Sequence, residues 1–270
     1  MNTTDFLDRY GPAALVTGAS SGIGAAFARL LAEAGFDLLL VARRADRLHD
    51  LAGELTAAHN VKVTVCAADL ADPAAVDAIA KAAQGVDIGL LVSNAGFGLK
   101  GPHQNNEPER MAALLQVNCA APMQLTHRFL PALLERGRGG IILTSSVEGL
   151  MGIPFSAAYA ASKAFTNSLG ESLWGELQPA GIDVLALCPG STDTEAHALQ
   201  GIDPATLEGM MSPREVAELA LLNLANGPLY IAGEQNKAMF DALLGMPRRD
   251  ALREMADNIR AVLLPRGEKP

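Results

Sequence analysis

Short, almost continuous apolar runs recur along the chain at Ala13–Val16, Leu38–Val41, Lys62–Ala67, Ile88–Ser93, Ile141–Thr144, Asp183–Leu187 and Leu229–Ala232. A run without polar alternation is what a parallel strand covered on both faces requires. The segments between them carry apolar residues at helical spacing. Ile23–Ala34 stops at Gly35, a natural residue just past a helix end, and Ala45–His59 forms the next helix. Further helices are expected from near Pro73, from Glu107–Pro108 to about Gly137, and from Tyr159 to about Gln178, where Pro179 ends it. Ser212-Pro213-Arg214-Glu215 opens another with a Ser cap, Pro at N1 and Glu at N3, and this helix should end at Gly227.

Strand and helix thus alternate throughout, the pattern of an α/β fold, and residues 1–270 read as one domain. Asn2–Gly11 is expected as a short leader helix or coil at the sheet edge. Residues 195–211 mix Gly, Pro and Met with little periodicity, which suits a lid over a substrate. Residues 234–270 form a C-terminal helical extension. Leu252, Met255, Ile259, Val262 and Leu263 share one helical face there, which packs on its own domain or a sister subunit rather than on a membrane.

The turn after the first strand reads Thr17-Gly18-Ala19-Ser20-Ser21-Gly22-Ile23-Gly24. Glycines at 18, 22 and 24 let the backbone turn tightly and approach a pyrophosphate, which then meets free N–H groups at the positive end of the following helix. The spacing differs from the commoner G-x-G-x-x-G, and glycine-rich turns also serve plain strand-to-helix geometry. At the end of the second strand an NAD enzyme places a carboxylate against the ribose 2′-hydroxyl, but here Ala42 is followed by Arg43 and Arg44. Guanidinium groups suit a 2′-phosphate, so the cofactor reads as NADP(H), with Arg43 favoured over Arg44 because it comes first after the strand. The plainer alternative is that both arginines solvate the next helix.

Composition narrows the partners. A net charge of −9 leaves no basic stripe for nucleic acid. Three scattered cysteines, Cys66, Cys119 and Cys188, lack metal-ligand spacing and read as buried thiols in a reducing compartment. An acidic N-terminus and the lack of a bilayer-length apolar run point to a cytoplasmic protein with no membrane partner and no metal.

Further chemistry lies at strand ends. Asp69, followed by Leu70, sits where a carboxylate can hydrogen-bond an adenine amino group, or it caps the next helix, a job for which Asp72 is better placed. Asn94-Ala95-Gly96 makes a small-residue turn in which Asn94 ties neighbouring strands. Asn118 interrupts an apolar helix and reads as a helix-distorting residue whose side chain satisfies a freed carbonyl, helped by Pro122. Tyr159 and Lys163 are four apart, so they share a helix face while Ser162 points elsewhere.

Taken together, T-G-A-S-S-G-I-G, the N-A-G turn, Asn118, Ser146, Y-A-A-S-K at Tyr159 and P-G-S-T-D-T at Pro189 resemble the short-chain dehydrogenase/reductase family over roughly residues 13–194. Ser146 precedes Tyr159 by thirteen residues, as in that family. The resemblance implies a Rossmann-type doubly wound seven-stranded parallel sheet, order 3-2-1-4-5-6-7, and hydride transfer between a nicotinamide and a ketone or alcohol. It implies a catalytic set of Asn118, Ser146, Tyr159 and Lys163. Its cofactor set is Gly18, Ser20, Ser21, Gly22, Ile23, Gly24, Arg43, Arg44, Asp69, Leu70, Asn94, Ala95, Gly96, Tyr159, Lys163, Pro189, Gly190, Thr192 and Thr194. It also implies a homodimer or homotetramer. The seventh strand lacks the family's aspartate-glycine-glycine ending, so the far wall of the pocket does not transfer.

Tyr159 would donate the proton, with its phenol made acidic by Lys163 and the oxidised nicotinamide. A unit charge at about 4 Å contributes roughly 4 kcal/mol at an effective dielectric near 20, or about 3 pKa units. Ser146 would hold the substrate oxygen, and Asn118 a water linking Lys163 to solvent. Phe97, Leu99, Leu150, Ile153, Phe155, Met210 and Met211 line the expected pocket or are ordinary core; as a lining they favour a 3-oxoacyl, steroid or aromatic carbonyl. Glu148 and Glu195 could receive a polar group. A non-catalytic NADP-binding redox sensor is the alternative.

Overall fold

The computed structural model describes residues 3–195 and 209–263. Seven parallel strands form one sheet in the order β3-β2-β1-β4-β5-β6-β7. They are β1 (Ala13–Thr17), β2 (Asp37–Ala42), β3 (Val63–Ala67), β4 (Ile88–Ser93), β5 (Gly139–Thr144), β6 (Ile182–Cys188) and β7 (Leu229–Ile231). The apolar runs alternate between two packed layers. Val16, Leu38, Leu40, Val92, Ile142 and Leu185 face one side, while Leu15, Leu39, Val41, Leu91, Ile141 and Val184 face the other. Because both sides are dry, neither set could be polar, and the runs read as continuous.

The first side is covered by α2 (Gly22–Glu33), α3 (Ala45–His59) and α8 (Pro213–Asn223). The second is covered by α4 (Ala75–Ala82), α6 (Ala121–Arg136) and α7 (Ala157–Leu177). The start of α8 carries the expected capping box between Ser212 and Glu215. Strand β1 pairs with β2 on one side and β4 on the other, so the chain reverses direction across the sheet between β1 and β4. In such sheets the crevice at that reversal, beyond the carboxyl ends of the strands, is where ligands bind.

Two local expectations are corrected. The leader is a helix, α1 (Thr3–Tyr10), packed not at the sheet edge but against β4 and β5 at the centre. Phe6 and Tyr10 are buried with Phe36, ring centroids 4.6 and 5.7 Å apart, and aromatic burial draws the helix inward. The Tyr10 hydroxyl donates to Asp183 Oδ2 at 2.5 Å, and Arg9 pairs with the same carboxylate at 2.5 Å.

The long helix expected over 107–137 is α5 (Pro108–Leu115) and α6 joined by a π-helical turn, Gln116–Ala120. Residues 234–263 form two helices, α9 (Glu234–Gly245) and α10 (Arg248–Leu263). Leu252, Met255 and Ile259 pack against a buried cluster of Val147, Met151, Ile153, Phe240 and Ala251 of the same chain. The lid expected over 195–211 lies mostly outside the described residues; the chain on either side of it is joined by a parallel bridge between Thr192 and Met211. No helix among the described residues is long and apolar enough to cross a membrane.

Tyr10→Phe removes a buried donor to a carboxylate while keeping the ring. Hydrogen bonds to charged groups contribute about 1.5–3 kcal/mol, and urea unfolding should show a loss of that order. An unchanged midpoint would mean that Arg9 alone satisfies Asp183.

Candidate functional site

The loops that follow β1, β4, β5 and β6 all open on the carboxyl side of the sheet. After β1, Gly18 and Gly22 take positive φ values of 68° and 54°, which side chains rarely tolerate. Gly24 is needed for a different reason: a Cβ there would lie 2.2 Å from the Gly18 carbonyl oxygen. Ser21 precedes α2 without a side-chain capping bond, so the turn presents backbone N–H groups rather than a filled cap. Thr17 Oγ1 accepts from the amides of Asn94 and Ala95 at 2.9 and 3.0 Å, and Asn94 Nδ2 donates to the Thr17 carbonyl at 3.1 Å. Asn94 therefore ties β4 to β1, as its position suggested. Thr194 packs on the same turn, its methyl carbon 3.0 Å from where a Gly22 Cβ would be.

Arg44, rather than Arg43, reaches the glycine turn. Its guanidinium donates to Ser20 Oγ at 3.1–3.2 Å and to Ser21 Oγ at 2.6 Å. Glu195 bridges Arg44 at 2.7 Å and Arg47 at 2.6 Å, and these two hydrogen bonds, Arg47's first, hold its carboxyl down to about 2. Arg43 extends outward, 74% exposed, with Asp69 at 4.0 Å. Asp69 also accepts from the Ala71 amide at 3.0 Å, and Asp72 from Ala74 at 2.9 Å; Leu70 is buried in the core. A cleft of about 690 Å³ runs beside Ser20–Gly22, Arg47 and Asp193–Glu195. Asn118, Ser146, Tyr159 and Lys163 do not line it.

These four meet on the other side of the turn. Lys163 is 4% exposed and its Nζ donates to the Thr144 carbonyl at 2.8 Å. A Cβ on Gly96 would stand 3.1 Å from Asn118 Oδ1 and 3.2 Å from Lys163 Nζ, so the three residues converge closely and a side chain there would crowd both polar groups. Asn118 does not satisfy a carbonyl of its own helix. Its amide donates to the Phe97 carbonyl at 2.9 Å and to Ser162 Oγ at 3.0 Å, and its oxygen accepts from the Phe97 amide at 3.1 Å. The carbonyl freed at residue 118 accepts instead from Thr166 Oγ1 at 3.3 Å.

Tyr159 lies with its ring centroid 5.6 Å from Lys163 Nζ. Its pKa is raised, first by burial and then by the Glu148 charge, with the Ser146 side chain opposing both. This direction is opposite to the expected acidification. Burial penalises the phenolate, and Lys163 is itself desolvated, its pKa lowered to about 8. The ammonium also bonds a backbone carbonyl.

Beyond β6, the Pro189 carbonyl accepts from the Val147 amide at 3.0 Å, and Thr192 Oγ1 donates to the Gly190 carbonyl at 3.1 Å. Asn236 of α9 packs so closely on Gly190 that a Cβ there would lie 2.3 Å from its side-chain oxygen. Several supports escape sequence reading. Ser145 Oγ donates to the Lys163 carbonyl at 2.9 Å. A Cβ on Gly149 would come within 2.6 Å of the Lys163 backbone. Lys100 Nζ stands 5.5 Å from the Tyr159 ring centroid. Spacing alone signals none of these, since each joins separate loops. The expected apolar lining is dispersed: Phe97 packs with the α4–α6 layer, Met211 with the α2–α3 layer, and Leu150 and Ile153 with α9 and α10.

Known proteins are similar to this chain over most of its length. The 7β-hydroxysteroid dehydrogenase of Collinsella aerofaciens is 29% identical over 236 residues, covering 85% of this chain and 89% of that protein. The very-long-chain 3-oxoacyl-CoA reductase of Aspergillus clavatus is 36% identical over 185 residues, 66% of this chain and 54% of that one. The structure of a short-chain dehydrogenase from Sphingobium yanoikuyae in complex with NADPH superposes with a TM-score of 0.81 at 33% identity, covering 96% of this chain and 98% of that one. The short chain dehydrogenase family model matches residues 12–203. With that match over most of its length and the four side chains gathered at the carboxyl end of a doubly wound sheet, this chain belongs to the short-chain dehydrogenase family.

Proposed function

We propose that the chain is an NADP(H)-dependent oxidoreductase acting on a lipophilic ketone or alcohol of the 3-oxoacyl, steroid or aromatic carbonyl class. The observation that carries this reading is the convergence of Ser146, Tyr159, Lys163 and Asn118 beside the glycine turn. The reading of a dinucleotide is supported by the left-handed glycines at 18 and 22, the close packing that Gly24 permits, and a start of α2 whose backbone N–H groups no side chain caps. When bound, the nicotinamide would supply or accept the hydride.

The chain's own residues then handle the oxygen. Ser146 and Tyr159 bind the carbonyl oxygen from two sides, and Tyr159 passes its proton to that oxygen as negative charge develops there. Lys163, with its pKa near 8, holds the ribose hydroxyls and returns a proton to the phenol, while Asn118 fixes the Phe97 backbone over it. A raised phenol pKa makes Tyr159 a protonated donor before reduction. The phenolate left behind would be stabilised by Lys163, and an oxidised nicotinamide would add positive charge beside it.

Two observations favour NADP(H). The strand end at Ala42 offers no carboxylate to a ribose, and Arg44 already lies on Ser20 and Ser21. The NADPH-bound Sphingobium yanoikuyae relative supports the same choice. The substrate class rests on the steroid and acyl relatives. Leu115, Met123 and Phe165 are exposed on α5, α6 and α7, which favours a homodimer or homotetramer through those helices.

Tyr159→Phe should leave NADPH affinity within about twofold and cut ketone reduction by roughly 10²–10⁴-fold, the usual contribution of a positioned acid; substantial turnover would remove Tyr159 as donor. Arg44→Ala should weaken NADPH about tenfold, ~1.4 kcal/mol, and NADH much less. Equal losses would remove the phosphate contact. In the cofactor-free protein, the phenolate absorbance of wild type minus Tyr159→Phe should titrate above the ordinary tyrosine value of 10.0. A midpoint below it would contradict the burial argument.

A further inference from the structure

One charged cluster beside Tyr159 has no part in the chemistry just described. Lys100, in the loop between β4 and α5, donates to Glu148 Oε1 at 2.5 Å and to Ser156 Oγ at 3.1 Å, and Ser156 donates to Glu148 Oε2 at 2.6 Å. Glu148 follows Ser146 and Ser156 precedes α7, so the three side chains join the two loops that flank the phenol. The amide of Gly101 donates to the Phe155 carbonyl at 2.8 Å and closes the same junction. The Lys100 and Glu148 side chains are 19% and 24% exposed.

A loop clamp alone would not need charge. Desolvating an ion pair is costly, and apolar residues of similar volume often hold a structure as well or better. The ammonium also retains capacity: of its three donors, two are used among the described residues, and its nitrogen stands 5.5 Å from the Tyr159 ring centroid. An oxygen bound to Lys100 at about 2.9 Å would thus lie beside the ring whose hydroxyl meets the ketone. The sign of the cluster selects the kind of oxygen. Lys100 and Glu148 cancel, so a carboxylate approaching the ammonium also meets a carboxylate, whereas a neutral carbonyl or hydroxyl oxygen meets no repulsion.

Resting on the ketone-reductase reading above, we propose that Lys100, held by Glu148 and Ser156, is a substrate-recognition residue. It binds a second, neutral oxygen of the ketone, placing that oxygen on the first or second carbon from the reacting carbonyl. The preferred substrates are then 1,2- or 1,3-oxygenated ketones, such as 3-oxo esters and thioesters or 1,3-diketones. Glu148 and Ser156 are positioning residues.

The test uses the full chain with NADPH and two ketones of one skeleton, a 3-oxo ester and the monoketone lacking the ester oxygens. In the wild type kcat/KM should favour the 3-oxo ester. Lys100→Met should lower kcat/KM for the 3-oxo ester about tenfold or more, mainly through KM, as expected for one lost hydrogen bond; the loss on the monoketone should be several-fold smaller. Equal losses on both ketones, with thermal stability also reduced, would make Lys100 a loop clamp and overturn the assignment. Glu148→Gln leaves the cluster net positive, so the free 3-oxo acid should gain on its ester by several-fold; no gain would remove the charge-cancellation argument. Turnover of neither ketone by the wild type is a distinct outcome, which would remove the reductase reading and this assignment with it.

Discussion

A single buried ammonium sets the terms for the rest of this site. Lys163 is 4% exposed, and its hydrogen bond among the described residues is to the Thr144 carbonyl at 2.8 Å. Burying a charge with so little compensation is costly, which is why burial carries its pKa down to about 8. The surrounding structure must therefore hold α7 tightly against the carboxyl end of β5. Ser145 does so by donating to the Lys163 carbonyl, and Gly149 by letting its loop approach the same peptide. On the opposite flank Gly170 lets α7 approach β6 closely, since a Cβ there would meet the Ala186 Cβ at 2.9 Å. Small residues at these contacts leave the helix little freedom to slide.

That constraint explains the state of the phenol. Tyr159 rides on the same helix one turn earlier, so the packing that buries the ammonium also buries the ring. Two groups desolvated together shift in opposite senses: the phenol upward, the ammonium downward. Both shifts favour the neutral forms. Such a pair is poor at holding charge alone and responsive to a charge brought in by a ligand, because an added cation in a dry site acts through a low effective dielectric. On the proposed function, proton donation is then coupled to the occupancy of the cofactor cleft by electrostatics alone, without a moving part.

The strands and the order of elements were legible because they depend on local pattern. Leu38–Val41 can only be a strand wet on neither face, and the glycines at 18, 22 and 24 read as a turn for the same reason that they form one. Tyr159 and Lys163 were legible because a helix converts a spacing of four into a shared face. What could not be read depends on segments meeting from far apart. Nothing in N-T-T-D-F-L-D-R-Y says that Tyr10 will find Asp183, and so the leader looked like an edge element. Asn118 was singled out correctly for its odd setting, but its partner, the Phe97 backbone, lies on another loop. Arg43 and Arg44 are neighbours in sequence, and only the departure of α3 from the strand end decides which one turns back to Ser20. The apolar side chains expected around the substrate were read from composition, which cannot tell a pocket wall from core.

The dispersal of those side chains bears on how specificity is built in this fold. Ile153 is buried in a cluster with Phe240 of α9 and Ala251 of α10, against which Leu150, Leu243, Leu252, Met255 and Ile259 also pack. The loop that carries Ser146 and Glu148 is thus backed by the C-terminal helices as well as by α7. The placing of Tyr159 and Lys163 depends on the sheet and α7; the outward packing of that loop depends on the tail. Two sets of contacts, sharing few residues, can then vary separately. Replacing side chains on α9 or α10 alters the packing of that loop, whereas any change that lifts α7 from β5 reaches Tyr159 at once. On the proposed function, a chain built this way can diverge in substrate while Tyr159, Ser146 and the buried ammonium stay where the packing holds them.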